Sequence, residues 1–249
     1  MVCGGEVLAM SGLYLSHKDI ERLSQKVISE YMRLPKVRIQ SEVKKIDPFI
    51  LAENYVGLRV DFRHLSKERQ IFGLTSYMPT YTEIINDSGI EELFALDGRT
   101  ILIEEDLASD PMPGKYNFTI VHETSHHILR KLFPNEYGPQ NINYSKVHYY
   151  RSDIKKDITD WEEWQANTLT AALLMPESLL RTNMNFVGLG EKLCVFNRKY
   201  KRDDYDKFNQ LACIMGVSLT ALRIRMKQLG LIGKDHYGCP ERIFEIDYD

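Results

Sequence analysis

The chain has few cysteines, and none of them is spaced for a metal or a disulfide frame. Cys3, Cys194, Cys213 and Cys239 stand far apart with no C-x-x-C pair. That excludes a disulfide scaffold and a thiolate zinc knuckle, and reads as the reduced thiols of a cytoplasmic protein. No apolar run approaches the roughly 20 residues of a membrane span, and Met1 to Met10 lacks the basic start and apolar centre of a signal peptide. There is no excess of positive charge: a net charge of -3 argues against a protein held to nucleic acid by bulk electrostatics. Internal repeats and low-complexity stretches are also missing. What remains is 249 residues, 43% hydrophobic and 27% charged, the composition of an ordinary globular chain with one large domain and room for an appendage.

One stretch organises the rest. His122-Glu123-Thr124-Ser125-His126 lies in a run with apolar residues at Phe118, Val121, Ile128, Leu129 and Leu132 and the small Ser125, the spacing of one helix face, and Pro134 stops it. On a helix, His122 and His126 stand one turn apart, about 6 Å along the axis and about 40° around it, so two imidazoles reach one metal ion. Glu123 lies roughly 100° from His122, placed to touch an activated water rather than to act as a further ligand. This is the H-E-x-x-H arrangement of zinc hydrolases.

Along the chain, Ser16 and Asp19 form a capping box for an amphipathic helix through Ile20, Leu23, Val27, Ile28, Tyr31 and Leu34. Asp47-Pro48 and Gly57 bracket a short helix. Alternation at Leu58, Val60 and Phe62 predicts a strand, as does Ile71 to Tyr77. Asp97-Gly98 reads as a tight turn joining Leu93 to Leu96 and Thr100 to Glu104 in a hairpin. Thr80 to Glu92 carries no clear pattern. Phe133 to Ile158 reads as a long, irregular, Tyr-rich connection. A second capping box, Thr159 and Glu162, opens a helix to Met175, and a further helix runs from Pro176 to about Asn185. Gly188 to Asp204 reads as a loop with a basic cluster. Phe208 to Met215 and Leu219 to Leu229, joined at Gly216-Val217-Ser218, read as a helix-turn-helix. Phe244 and Ile246 suggest a short strand in the tail.

The motif needs a third ligand. Glu162 is drawn toward its helix start by the capping box, whereas Glu163 is free on a face that continues through Ala166, Asn167, Thr170 and Leu174. The expected ligands are therefore His122, His126 and Glu163, with Glu162 as the alternative, and water completes a catalytic Zn2+ site. Manganese or iron would suit the same donors. Glu123 is the expected general base, and Asn167 is placed to accept the free N–H of a ligand histidine. A tetrahedral intermediate also calls for a hydrogen-bond donor, for which His148 and Tyr149 are the candidates. His127 is expected off the ligand face, and His17, His64 and His236 carry no assigned role.

Asn117 to His126, followed by Glu163-Trp164-Gln165-Ala166-Asn167 and Ala171-Ala172-Leu173-Leu174-Met175-Pro176, resembles the ImmA/IrrE family of bacterial metallopeptidases. The Phe118-Thr119 pair, the Glu-x-x-Ala-Asn run and the closing Leu-Leu-Met-Pro carry the likeness, which spans about Ser16 to Ile232. Thr124-Ser125 departs from the more usual aliphatic-Gly, and Thr80 to Glu92 looks like an insertion. The resemblance implies a zincin-like core. It also implies cleavage or inactivation of a partner helix-turn-helix repressor, in the setting of mobile elements or stress responses.

The expected fold is α+β: N-terminal helices and a small antiparallel sheet beside a two-helix metal site, over residues 1–190, with a C-terminal helical, helix-turn-helix-like segment over 191–249. Thr100 to Glu104 is the expected edge for an extended substrate strand. Arg223, Arg225 and Lys227 on the last helix invite a DNA reading, but alternating charge more often marks a solvated face, and packing or partner docking is favoured over DNA contact. Two functions follow: a zinc-dependent endopeptidase, or a non-catalytic metal-binding regulator acting by partner or DNA binding. The intact Glu123 favours the first.

Overall fold

The computed structural model describes residues 14–109, 113–134, 147–151, 161–193 and 202–232. The chain is a mixed α and β molecule. α1 (His17–Tyr31) starts at the capping box: Ser16 Oγ accepts from the Asp19 amide at 3.3 Å, and the Ser16 amide donates to Asp19 Oδ2 at 3.1 Å. Its stripe of Ile20, Val27, Ile28 and Tyr31 is buried. After the short α2 (Pro35–Arg38), Asp47 Oδ1 caps the next turn by accepting from the amides of Phe49 and Ile50. The helix there, Ile50–Val56, is wound wide. Gly57 closes it by donating its N–H to the carbonyl of Ala52 five residues back, in the left-handed conformation at φ 86°.

Among the described residues the strands are β1 (Arg59–Arg63), β2 (Ile71–Ser76), β3 (Pro79–Ile85), β4 (Glu91–Asp97), β5 (Thr100–Glu104) and β6 (Val147–Arg151). They make a four-stranded sheet in the order β1-β5-β2-β6 and a separate β3–β4 hairpin. The sheet is mixed rather than antiparallel, because β1 runs parallel to β5. β5 is at its centre, between β1 and β2, so Thr100 to Glu104 is not an edge. Every residue of β5 is buried, as a strand covered on both faces must be.

The Asp97-Gly98 turn exists, but it does not join paired strands. Asp97 Oδ1 accepts from the Arg99 amide and the Thr100 hydroxyl, and Gly98 has φ 77° against the Met78 backbone. It hands the chain from the hairpin into the main sheet. β4 pairs instead with β3, so the unassigned stretch Thr80 to Glu92 is half of a hairpin, turned at Asn86, whose side chain accepts from the amides of Ser88 and Ile90. The long connection after Phe133 likewise contains a strand, β6.

α3 (Pro113–Leu132), α4 (Trp161–Leu174), α5 (Glu177–Phe186), α6 (Arg202–Met215) and α7 (Leu219–Gln228) complete the described elements. The second capping box, most of the basic cluster and the tail strand lie outside the described residues. α3 is wedged between the sheet and α4. Ser125 and Thr170 are the small residues at the helix contact, and their hydroxyls meet at 3.0 Å. The α6–α7 turn seats on the start of α3: Asn117 donates to the Gly216 carbonyl at 2.7 Å, and a Cβ on Gly114 would stand 2.4 Å from the Ser218 amide nitrogen. One hydrophobic core joins Ile20, Val121, Leu169, Leu180, Phe208 and Met226, on both sides of residue 190. Among the described residues no helix is long and apolar enough to cross a membrane.

Candidate metal centre

α3 brings His122 and His126 onto its buried face, and α4 brings Glu163 across from them. Four donor atoms of three side chains converge there. His122 Nε2 and His126 Nε2 are 3.2 Å apart, and they lie 3.3 Å and 3.1 Å from the two Glu163 oxygens. Zinc–nitrogen and zinc–oxygen bonds near 2.05 Å in a tetrahedron give ligand–ligand edges of roughly 3.3 Å. The donor set and its spacing therefore fit one small divalent cation. Glu162, the alternative ligand, is not part of this donor group, and its charge adds to the rise of the His126 pKa.

The electrostatics show how tightly these groups are coupled. Burial drives His122 toward its neutral form, helped by the charge of His126. Burial also opposes charge on His126, but Glu163 outweighs it and lifts that pKa to about 9. Burial alone would raise Glu163; the facing imidazoles hold it well below the usual carboxylate range instead. Two buried imidazole nitrogens that meet at 3.2 Å need a proton or a metal ion between them, since two bare lone pairs would otherwise face each other.

Glu123 is 1% exposed, and neither carboxylate oxygen has a hydrogen-bond partner among the described residues. Burial pushes its pKa up to about 8, with His126 pulling the other way and Glu163 adding to the rise. A buried carboxylate with nothing to bind is costly, and catalytic bases are among the groups kept in that condition. Its position depends on Gly73. A Cβ there would lie 2.6 Å from Thr119 Cγ2 and 2.9 Å from Glu123 Oε1, so bare backbone of β2 backs the carboxylate. Thr124 and Ser125 fit inside the helix because each hydroxyl donates one turn back, to the carbonyls of Ile120 and Val121.

The outer residues divide. Asn167 stands beside the His122 ring, where a hydrogen bond between the two side chains favours the protonated imidazole. Tyr149 faces the other side of the sheet, where it packs with Leu74 and Ile84 and its hydroxyl lies 3.3 Å from that of Thr82. His148 pairs with Thr75 in the ladder, its side chain outside the described ones. His127 is turned off the ligand face to Thr75, at 2.7 Å. His17 packs on Trp164.

Models of known protein families and curated proteins offer no match to the chain. The site is therefore read from its own chemistry.

The residue that sequence reasoning missed is Tyr150. Its ring lies 4.3 Å from the His122 ring, centre to centre, and it joins Phe72 and Phe118 in an aromatic wall over the metal-facing histidine. Burial pushes the phenol up to about 12, and Glu163 and Glu123 reinforce the rise. The signal was present in the Tyr149-Tyr150 pair, since neighbours on a strand face opposite sides. It could be used only once 147–151 was known to be a strand.

Arg225 stands apart from any outer basic face. It is 2% exposed, donates to the Met175 carbonyl at 3.1 Å and pairs through both terminal nitrogens with Glu21.

Proposed function

We propose that the chain is a zinc-dependent endopeptidase of the ImmA/IrrE kind, with a zincin-like core, that cleaves a partner helix-turn-helix repressor. The observation that carries this reading is the group of His122, His126 and Glu163 donors beside a buried Glu123 that has no hydrogen-bond partner among the described residues. When bound, the metal would lower the pKa of a water molecule and polarise the scissile carbonyl.

The protein's own groups supply the rest. Glu123 takes a proton from the attacking water and passes it to the leaving amine, so that the C–N bond breaks with both products neutralised. Its raised pKa suits that task, since a base with a pKa near working pH both accepts and returns a proton. Gly73 and Thr119 hold the carboxylate from behind. The aromatic wall of Phe72, Phe118 and Tyr150 limits water around His122.

The α6–α7 pair is read as a docking and packing element rather than a DNA reader, because its buried arginine is spent on Glu21. Zinc-loaded protein mixed with a candidate repressor tests the whole reading. A discrete cleavage, reduced about 10²- to 10⁴-fold in Glu123→Gln with zinc content unchanged, is the expected result. A stable complex with no cleavage would instead favour a binding-only regulator.

A further inference from the structure

Resting on the peptidase reading, we propose that Tyr150 is a catalytic residue: its hydroxyl donates a hydrogen bond to the oxyanion that forms when water adds to the substrate carbonyl. Three observations place it there. The β2–β6 ladder sets Tyr150 directly opposite Gly73, the residue whose bare backbone touches Glu123. The ring is held by Phe72 and Phe118, both about 6 Å away, and tilts 36° over His122. Among the described residues its hydroxyl has no hydrogen-bond partner, although the ring is half-buried beside Glu163 and Glu123.

A phenol held by its ring, with its donor uncommitted at the mouth of a site, is ready to meet an oxyanion at no reorganisation cost. Of the two residues expected in this role, Tyr149 lies across the sheet near Thr82, and the side chain of His148 is outside the described ones. The step balances without proton loss from Tyr150. Water adds its oxygen to the carbonyl carbon and its proton goes to Glu123. The carbonyl oxygen gains the negative charge that Tyr150 binds, and the carbonyl re-forms as the C–N bond breaks and the amine takes the proton from Glu123. Tyr150 is a hydrogen-bond donor throughout.

The test uses zinc-loaded full-length protein and two probes in calorimetry: N-phosphoryl-leucinamide, whose tetrahedral anion imitates the intermediate, and leucinamide, which lacks it. In Tyr150→Phe, which keeps the ring over His122, the phosphoryl probe should bind about 10- to 100-fold more weakly. Leucinamide affinity and zinc content should not change. Equal binding of the phosphoryl probe by wild type and Tyr150→Phe overturns the role of Tyr150 alone. No binding of that probe by zinc-loaded wild type overturns the peptidase reading, and this proposal with it.

Discussion

Two clusters in this molecule use the same residue types and differ in everything that matters for a metal. His122, His126 and Glu163 point four donor atoms at one place, with separations of 3.1 to 3.3 Å. His64, Glu104 and Asp106 also gather within reach of one another, but each is already spoken for. His64 splits its ring nitrogens between Glu104 at 3.0 Å and Glu105 at 3.8 Å; Glu104 accepts the Leu65 amide at 2.8 Å; Asp106 is paired with Arg69. The second cluster is a latch that joins the end of β5 to the chain after β1. Proximity of histidine and carboxylate is thus a weak signal, and convergence of several donor atoms on one point is the strong one.

The largest way to break this contrast is through metal content. Zinc-loaded wild type should hold about one ion per chain. Glu163→Ala and His126→Ala should each weaken binding by more than the roughly 10- to 100-fold that loss of a merely supporting partner costs. His64→Ala should leave the content unchanged. Elemental analysis after dialysis in a zinc buffer decides it, and zinc retained in Glu163→Ala would mean that the wrong carboxylate has been assigned.

The pH dependence of the metal-free protein sharpens the contrast next. Glu123 has a folded pKa near 8 against 4.5 for the free group, so its contribution to stability is complete below pH 4.5 and is lost as pH rises toward 8. His126, raised to about 9 from 6.5, loses its contribution between those values. His122, whose burial lowers its pKa, works the other way as pH rises to 6.5. Wild type in chelator should on balance weaken by a few kcal/mol between pH 5 and pH 9, and Glu123→Gln should show a clearly shallower fall. Urea midpoints at the two pH values measure this; identical slopes for both proteins would contradict the burial argument.

A smaller effect is expected from the latch. Glu104→Gln removes charge-assisted bonds to the Leu65 amide and His64, and should cost about 1.5 to 3 kcal/mol of stability with no change in zinc content. Smallest is Gly73→Ala, whose methyl group meets Thr119 and Glu123 and should cost about 1 to 3 kcal/mol as an overpacked contact. Its effect on turnover of a cleaved partner should exceed its effect on the unfolding midpoint, since Glu123 moves first.

Helices were largely legible from the sequence because their signals are local. The Ser16–Asp19 box, the Asp47 and Gly57 bracket and the Ser218 cap all sit where those residues stand in the structure. The sheet was legible only in pieces. Asp97-Gly98 correctly marked a turn, yet a turn does not choose which strand its flanks will pair with. β5, buried along its whole length, belongs in a sheet centre, while β4, with Leu93 on the surface, suits a hairpin. Strand β6, a short Tyr-rich segment, had no alternating pattern of its own to announce it.

The sequence by itself determined the motif helix, the pair of histidines one turn apart and the carboxylate between them, because the 3.6-residue turn turns spacing into geometry. It also narrowed the third donor to two adjacent carboxylates. Only the tertiary structure decided that Glu163 completes the donor group, that Gly73 leaves Glu123 its place and that Tyr150 rather than Tyr149 faces the site. Those three depend on which strand lies beside which and in what register, and a register is a property of contacts between segments distant in the chain.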